Sequence, residues 1–463
     1  MTLKLFNALT REKEDFKPVE EGKVSFYSCG QTIYDDLHIG NARAYAAWDT
    51  LTRYLRWKGL KVRHVQNITD VGHLTDDGDQ GEDKVEKRAK EMGLEPMELV
   101  EDQIQRYFED TEALNIQRQD IVPRATGHIN EMIHYIDKIV ENGYGYEVDG
   151  NVYFDVEAFA EDYPYGEMAN KDLEQLKEEA QARVEHDEDK RNQFDFALWI
   201  NADEGHLMKW ESPWSVGYPG WHLECSVMSQ KYLGDEFDIH AGGKDHIFPH
   251  HPNERAQAFA ATGEGQARYW LHNEFITISG EKMSKSKGNF YTVRELLEEG
   301  FSGNAVRLYL ISSHYRSETD FSIEGLEKAE KELKKLRKAY KISDGEGLEE
   351  KAEETERLFE EYMDDDLNTA KAKQALLELA GEVNSHGEAS EEVGETLEQL
   401  SQVLGVDLSS SVNDSEKEMA DMLTDLRDEA RERKDYEASD FIRDRLEELG
   451  FEVEDSEDGS LWY

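Results

Sequence analysis

The chain has 463 residues, with 103 Asp and Glu against 53 Lys and Arg, a formal net charge of −50 and two cysteines. Its 38% hydrophobic and 10% aromatic content is too high for a disordered acidic chain, no apolar run is long enough to cross a bilayer, and the first ten residues lack the layout of a secretory signal. These features predict a folded cytoplasmic protein of two to four domains, with an acid-coated surface of the kind that molar internal salt screens, as in a halophile. Two distant cysteines, Cys29 and Cys225, make a poor disulfide framework but a usable part of a metal site. The charge does not exclude nucleic acid; it predicts recognition by shape and base contacts more than by electrostatic grip.

Val24–Ser28 reads as a short buried strand, and Cys29–Thr32 turns out of it. Ala44, Trp48, Leu51 and Leu55 recur at helical spacing, with Gly59 as a stop. Lys61–Thr69 reads as a second strand, so the unit predicts a parallel, doubly wound α/β sheet. The glycine-rich dinucleotide fingerprint and the Walker phosphate loop are both absent from the chain. From about 120 to 205 the chain changes character and reads as an insertion. Tyr146–Phe154 forms a hairpin around Asp149-Gly150, and Lys171–Arg183 is charged and helical. Asp238–Gly243 reads as a strand ending in a glycine turn. Beyond about 290 the pattern is helical, with linkers at Asp344–Leu348 and Ser409–Ser415 and a terminal module in the last 48 residues.

Two segments carry candidate chemistry. His38-Ile39-Gly40-Asn41 lies where a strand gives way to a helix, and helix N-termini offer N–H groups and partial positive charge to phosphate. An ordinary helix cap is the competing reading. Lys282-Met283-Ser284-Lys285-Ser286-Lys287 puts three lysines into a loop bracketed by Gly280 and Gly288. It reads either as a solvated loop or as one that closes on polyphosphate. A third set is Cys29, Cys225, His250 and Glu254. The last two are four residues apart and share a helix face, and the set suits tetrahedral zinc. Buried thiols without a metal are equally compatible with that spacing.

The ordered pair of His38–Asn41 and Lys282–Ser286 resembles the signature of class I aminoacyl-tRNA synthetases. Tyr27–Asp35, Gly220–Ser226 and Phe248–Glu254 are similar to the three zinc-site segments of cysteinyl-tRNA synthetases. The resemblance covers nearly the whole chain, including Asp364–Thr369, Arg433–Asp444 and the closing Glu454–Trp462 segment. It implies a Rossmann-like catalytic domain (1–120 and 206–290) with an inserted connective domain (121–205). A stem-contact region (291–343), a helical bundle (344–408) and an anticodon-binding module (416–463) follow. It further implies ATP-dependent ligation of L-cysteine to tRNA(Cys) by a monomer, with one Zn²⁺ and with Mg²⁺ accompanying ATP.

The resemblance assigns residues as well. His38, Asn41, Lys282 and Lys285 are implied to be catalytic. Gly40, Gly242, Gly243 and Asp245 join them in ATP binding, and Thr32, Thr69 and Trp221 line the amino-acid pocket. Cys29, Cys225, His250 and Glu254 are the implied metal ligands, Glu254 being the one expected to yield to the substrate thiolate. His222 and His251 stand beside ligands as candidate supports; His64, His73, His128, His134, His186, His206, His272, His314 and His386 carry no motif. Trp462 reads as a terminal core residue or a base-stacking platform. Gln31 replaces the family's usual proline and is expected to loosen the turn after Cys29; Asn41 replaces a common histidine and Ala241 a frequent glycine. Val71–Lys84 is longer and more acidic than the shortest versions, with no role legible in it. Two rivals share parts of this pattern: a ligase passing activated cysteine to an amino sugar, which lacks the terminal module, and a non-catalytic tRNA-binding paralogue.

Overall fold

A computed structural model describes residues 2–75, 81–171, 173–176, 189–283, 289–409, 414–448, 451, 453–456 and 459–462. The expected Lys171–Arg183 helix falls mostly outside these residues, as does Lys285. Among the described residues no helix is long and apolar enough to cross a membrane.

The core is a four-stranded parallel sheet in the order Gln266–Asn273, Glu236–Gly243, Lys23–Ser28, Lys61–Gln66. Val24, Phe26 and Tyr27 of the inner strand are buried. Helix α1, Ile39–Trp57, crosses from that strand to Lys61–Gln66, and Gly59, at φ +83°, reverses the chain after it. Only a residue tolerant of left-handed backbone makes that exit without strain. From Lys23–Ser28 the chain winds to one edge of the sheet, and from Glu236–Gly243 it winds to the other. The carboxyl ends of the two inner strands are therefore a topological switch point, where open α/β sheets leave a crevice.

The insertion is a five-stranded antiparallel sheet in the order Gly145–Val148, Asn151–Phe154, Phe196–Asn201, Val216–Pro219, Trp210–Glu211. Asp149 and Gly150 both have positive φ, as a two-residue hairpin turn matched to strand twist requires. This sheet continues to Pro219, past the expected boundary at 205. At its other end, Ile121 and Arg124 pair with Val65 and Ile68, so the segment expected to open the insertion still extends the parallel sheet.

Helices Ile323–Lys341, Glu349–Asp364, Thr369–His386 and Glu391–Val403 pack on one another, and one hydrophobic core runs from Leu3 to Leu408. Asp344–Leu348 is thus a turn within that core, not a break between cores. The terminal module has its own small core of Ala420, Leu446, Val453 and Trp462. Trp462 is buried and donates from its indole to Asp421 Oδ1 at 2.6 Å, so its place is the core reading.

Arg307 fastens α1 to the helical region. It is fully buried, paired with Asp49 at 2.7 Å, and donates to the Leu404 carbonyl at 2.7 Å and to Thr50 Oγ1 at 3.1 Å. Removing one partner of such a pair leaves an uncompensated buried charge. Asp49→Ala is expected to cost about 3–5 kcal/mol of stability, read as a lowered denaturant midpoint.

Candidate active site

The crevice at the switch point is a cavity of about 790 Å³. Its walls carry Cys29, Thr32, His38, Gly40, Asn41, Thr69, Trp221, Cys225, Gly242, Gly243, Asp245 and His250. Residues scattered over more than 200 positions of sequence meet there because both inner strands end at that point.

His38 is the N-cap of α1, with extended backbone (φ −85°, ψ 155°). Its Nδ1 accepts from the N–H groups of Gly40 at 3.1 Å and Asn41 at 3.3 Å. Those two first-turn donors, expected to face phosphate, are satisfied by the imidazole instead. An acceptor Nδ1 places the ring proton of the neutral imidazole on Nε2. Gly40 is packed on both sides: an added Cβ would lie 2.9 Å from Met283 Cε and 3.0 Å from the His38 ring. Met283 begins the lysine segment, and the described residues on either side of 284–288 are anchored. Before it, Ile276–Ile278 and Glu281–Lys282 form a hairpin turned by Ser279 and Gly280, both at positive φ. After it, Ile39 N–H donates to the Tyr291 carbonyl at 3.0 Å and Val293 N–H to the Leu37 carbonyl at 2.9 Å. The backbone of Lys282 is placed by the hairpin.

Gly242 and Gly243 do not form the expected turn. They stay in the strand, paired with His272 and Asn273, and the chain bends later, at Lys244–Ile247. What these positions require is the missing side chain. A Cβ on Gly242 would lie 2.5 Å from His246 Nδ1 and 2.9 Å from the His251 ring, and one on Gly243 would lie 2.4 Å from Asp245 Oδ1.

Deeper in the crevice, one ligand atom from each of Cys29, Cys225, His250 and Glu254 lies within 4.8 Å of the others. Cys29 continues the inner strand, its N–H donating to the Ala241 carbonyl. Cys225 sits in the first turn of helix Leu223–Leu233, and His250 and Glu254 lie one turn apart on helix His250–Thr262. The sulfurs are 3.9 Å apart, close to the edge of about 3.8 Å of a tetrahedron with Zn–S arms near 2.3 Å. His250 Nε2 is 3.0 Å from Glu254 Oε1. Behind these atoms, His222 Nδ1 meets His250 Nδ1 at 2.8 Å and His240 Nε2 meets Glu254 Oε2 at 2.7 Å. This is the outer support that orients metal ligands, and the residues fit a zinc ion.

The four groups are close enough to set one another's protonation. Burial pushes the Cys29 thiol well up, as do its hydrogen bond with Cys225 and the charge there. Burial acts the same way on Cys225, but hydrogen bonds with Cys29 and His250 bring that thiol down to about 6. Burial opposes charge on His250 too, yet Glu254 and Cys225 carry it up to about 10. Glu254 is held well below the usual carboxylate range because His240 and His250 outweigh its burial. A second donor set, Cys29, His240, His251 and Glu254, also clusters. It holds only one sulfur, and neither of its histidines reaches the cavity.

Residues 15–331 match the catalytic domain of class I (C) tRNA synthetases, and residues 358–409 match the DALR domain. The Cysteine--tRNA ligase of Desulfitobacterium hafniense is 45% identical over 100% of this chain and 99% of its own length. The chain belongs to the cysteine–tRNA ligase family. The Cysteine--tRNA ligase of Thermus thermophilus is 44% identical, with the same coverage. The fold is shared with Mycobacterium tuberculosis methionyl-tRNA synthetase, solved in complex with methionyl-adenylate. That structure superposes with a TM-score of 0.58 at 16% identity, over 87% of this chain and 94% of the other.

Gln31 ties down the turn after Cys29, its amide donating to the Asp35 carbonyl at 2.9 Å. Thr69 turns partly away from the cavity, its hydroxyl donating to Glu224 Oε2 at 2.7 Å while accepting from Asn67 Nδ2 at 3.1 Å. His222 and His251 are both buried. His251 Nε2 lies 3.3 Å from Cys29 Sγ, and its Nδ1 meets His272 Nε2 at 2.8 Å. His272 and His73 had no motif to mark them. His73 lines the cavity beside Lys84 and His246, and only tertiary folding brings it there.

Proposed function

We propose that this chain ligates L-cysteine to tRNA(Cys) with ATP, acting as a monomer in the cytoplasm. In the first step the cysteine carboxylate attacks the α-phosphorus, the bond to the β-phosphate oxygen breaks, and pyrophosphate leaves cysteinyl-adenylate. In the second, the terminal ribose 2′-hydroxyl attacks the cysteinyl carbonyl and AMP departs. The observation that carries this reading is the single crevice joining a sulfur-lined donor cluster to the capped start of α1.

His38 directs its Nε2–H toward the phosphoryl oxygens, where charge builds in the transition state. Gly40 and Asn41 line the cavity at the helix start, where the phosphates would lie, and Lys282 and Lys285 would neutralise the β,γ end, to which Mg²⁺ accompanying ATP would add positive charge. Gly242 and Gly243 line the cavity where the nucleoside would lie, and Asp245 accepts from its ribose hydroxyls. Cys29, Cys225, His250 and Glu254 hold Zn²⁺, which when bound takes a thiolate in strong preference to a hydroxyl and so separates cysteine from serine. Of the four residues that would hold the ion, Glu254, whose Oε2 is engaged by His240, is the one suited to yield to the substrate thiolate. Thr32, Thr69 and Trp221 form the wall around the amino acid. Positioning and electrostatics suffice for this chemistry without a general base. The helical region and the terminal module grip the tRNA.

Charging of tRNA with labelled cysteine tests the whole reading, and ATP–pyrophosphate exchange tests its first half. Deleting Lys282–Lys287 is expected to abolish cysteine-dependent exchange; retained exchange refutes the assignment.

A further inference from the structure

The Val71–Lys84 segment has a place in this site. Its two ends are tied together: Leu74 pairs with Asp83, and the Lys84 N–H donates to the His73 carbonyl at 3.0 Å. Asp83 is buried and locks the closure, its carboxylate accepting from the N–H groups of Gly72 at 2.7 Å, Val85 at 2.8 Å and Glu86 at 3.1 Å. Gly72, at φ +78°, abuts the last strand of the inserted sheet, where an added Cβ would lie 2.6 Å from the Pro219 carbonyl oxygen. These contacts between its described ends present His73 and Lys84 to the cavity on a fixed base.

The hydrogen bonds around the His73 ring have a direction. Lys84 Nζ lies 2.8 Å from His73 Nε2. An ammonium only donates, so Nε2 accepts and the ring proton sits on Nδ1. Nδ1 lies 2.5 Å from Thr32 Oγ1 and therefore donates to it. The Thr32 hydroxyl, having accepted there, presents its own proton elsewhere, and Thr32 lines the cavity. The same imidazole stacks flat on Trp221, with centroids 4.0 Å apart and planes within 8°. One buried ring thus sets both the direction of the Thr32 O–H and the position of the indole.

We propose that His73 and Lys84 orient the Thr32 hydroxyl as a donor to the carboxylate of the amino acid. This rests on the reading of the site as one for L-cysteine, whose carboxylate is its one anionic acceptor apart from the thiolate that the sulfur cluster takes. His73 and Lys84 are positioning residues: they act through Thr32 and Trp221.

The test compares binding of L-cysteine with that of cysteamine, which keeps thiol and amine but has no carboxylate, by calorimetry on the zinc-loaded protein. His73→Leu is expected to weaken cysteine about tenfold or more, the scale of a hydrogen bond to a charged group, and to change cysteamine less than about twofold. His73→Gln keeps an N–H on one side of its amide and a carbonyl on the other, and is expected to recover most of the loss. Equal weakening of both ligands, or no change for either, overturns the proposal. If His73→Leu does not fold, Lys84→Met, which removes only the donor to Nε2, is read the same way with about a threefold expected loss for cysteine alone. Wild-type protein that binds neither thiol overturns the cysteine reading itself, a result distinct from wild-type binding with an unchanged ratio in the variants.

Discussion

Cys225→Ser is expected to lose both the metal and cysteine activation. Sulfur and oxygen differ little in size, and Cys225 sits in the first turn of a well-packed helix, so the substitution leaves the fold in place and changes the donor. The thiol at this position comes down to about 6 under the influence of Cys29 and His250 and is a thiolate at neutral pH. A serine hydroxyl there stays protonated and neutral, and a neutral oxygen is a poor ligand for a borderline-soft ion. Zinc held by such clusters binds with about 10–16 kcal/mol of apparent free energy, so losing one strong donor of four removes enough to empty the site at micromolar concentrations. Metal content is expected to fall from about one ion per chain to below about a tenth, by analogy with structural zinc sites. Cysteine-dependent pyrophosphate exchange should fall on the order of a thousandfold, the scale of losing a principal transition-state or substrate anchor. A variant that keeps both its metal and its exchange rate shows that Cys225 is not a ligand.

Substituting His38 separates the capping role of its ring from the catalytic one proposed for it. His38→Ala removes the cap from α1, exposing the Gly40 and Asn41 N–H groups that Nδ1 now satisfies. Loss of an N-cap costs about 1 kcal/mol. It also removes the Nε2 donor, and deleting one preorganised donor to a developing charge lowers kcat by about 10²–10³-fold. Because that interaction strengthens in the transition state, the KM for ATP should move little. His38→Asn distinguishes the roles: asparagine caps helices well but is too short to reach where Nε2 stands. Stability should return with His38→Asn while exchange stays slow. Recovery of exchange together with stability would mean that the imidazole serves only as a cap.

Local elements were legible because their signals are local. Val24–Ser28, the helical spacing of Ala44 to Leu55, the stop at Gly59 and the Asp149-Gly150 turn each depend on a few neighbouring residues. The structure places each of them where the pattern indicates. Boundaries were less legible. The inserted sheet runs on to Pro219 because Val216–Pro219 pairs with Phe196–Asn201, and pairing between strands leaves no mark in either strand alone. Gly242 and Gly243 read as a turn, since glycine most often relieves backbone strain. Here Gly242 avoids His246 and His251 and Gly243 avoids Asp245, neighbours set by how the chain bends after the strand.

Residue types and order left the donor set of Cys29, Cys225, His250 and Glu254 and the two phosphate-segment candidates each with a competing reading, and it was the resemblance of their flanking segments to a known family that assigned them; the structure brings the four donor side chains within reach of one another. Of the residues behind them, His222 and His251 were marked only by standing next to candidate ligands in the chain. His240 on Glu254 and the chain from Lys84 through His73 to Thr32 are contacts between distant segments, and neither sequence indicates its partner. Amino-acid order alone determined the chemistry available to this protein: a sulfur-rich donor set, a capped helix and a basic loop. The tertiary structure decided which atoms face one another and which way the protons point. A hydrogen bond's direction is set by both partners together, and those partners meet only at the switch point of the sheet.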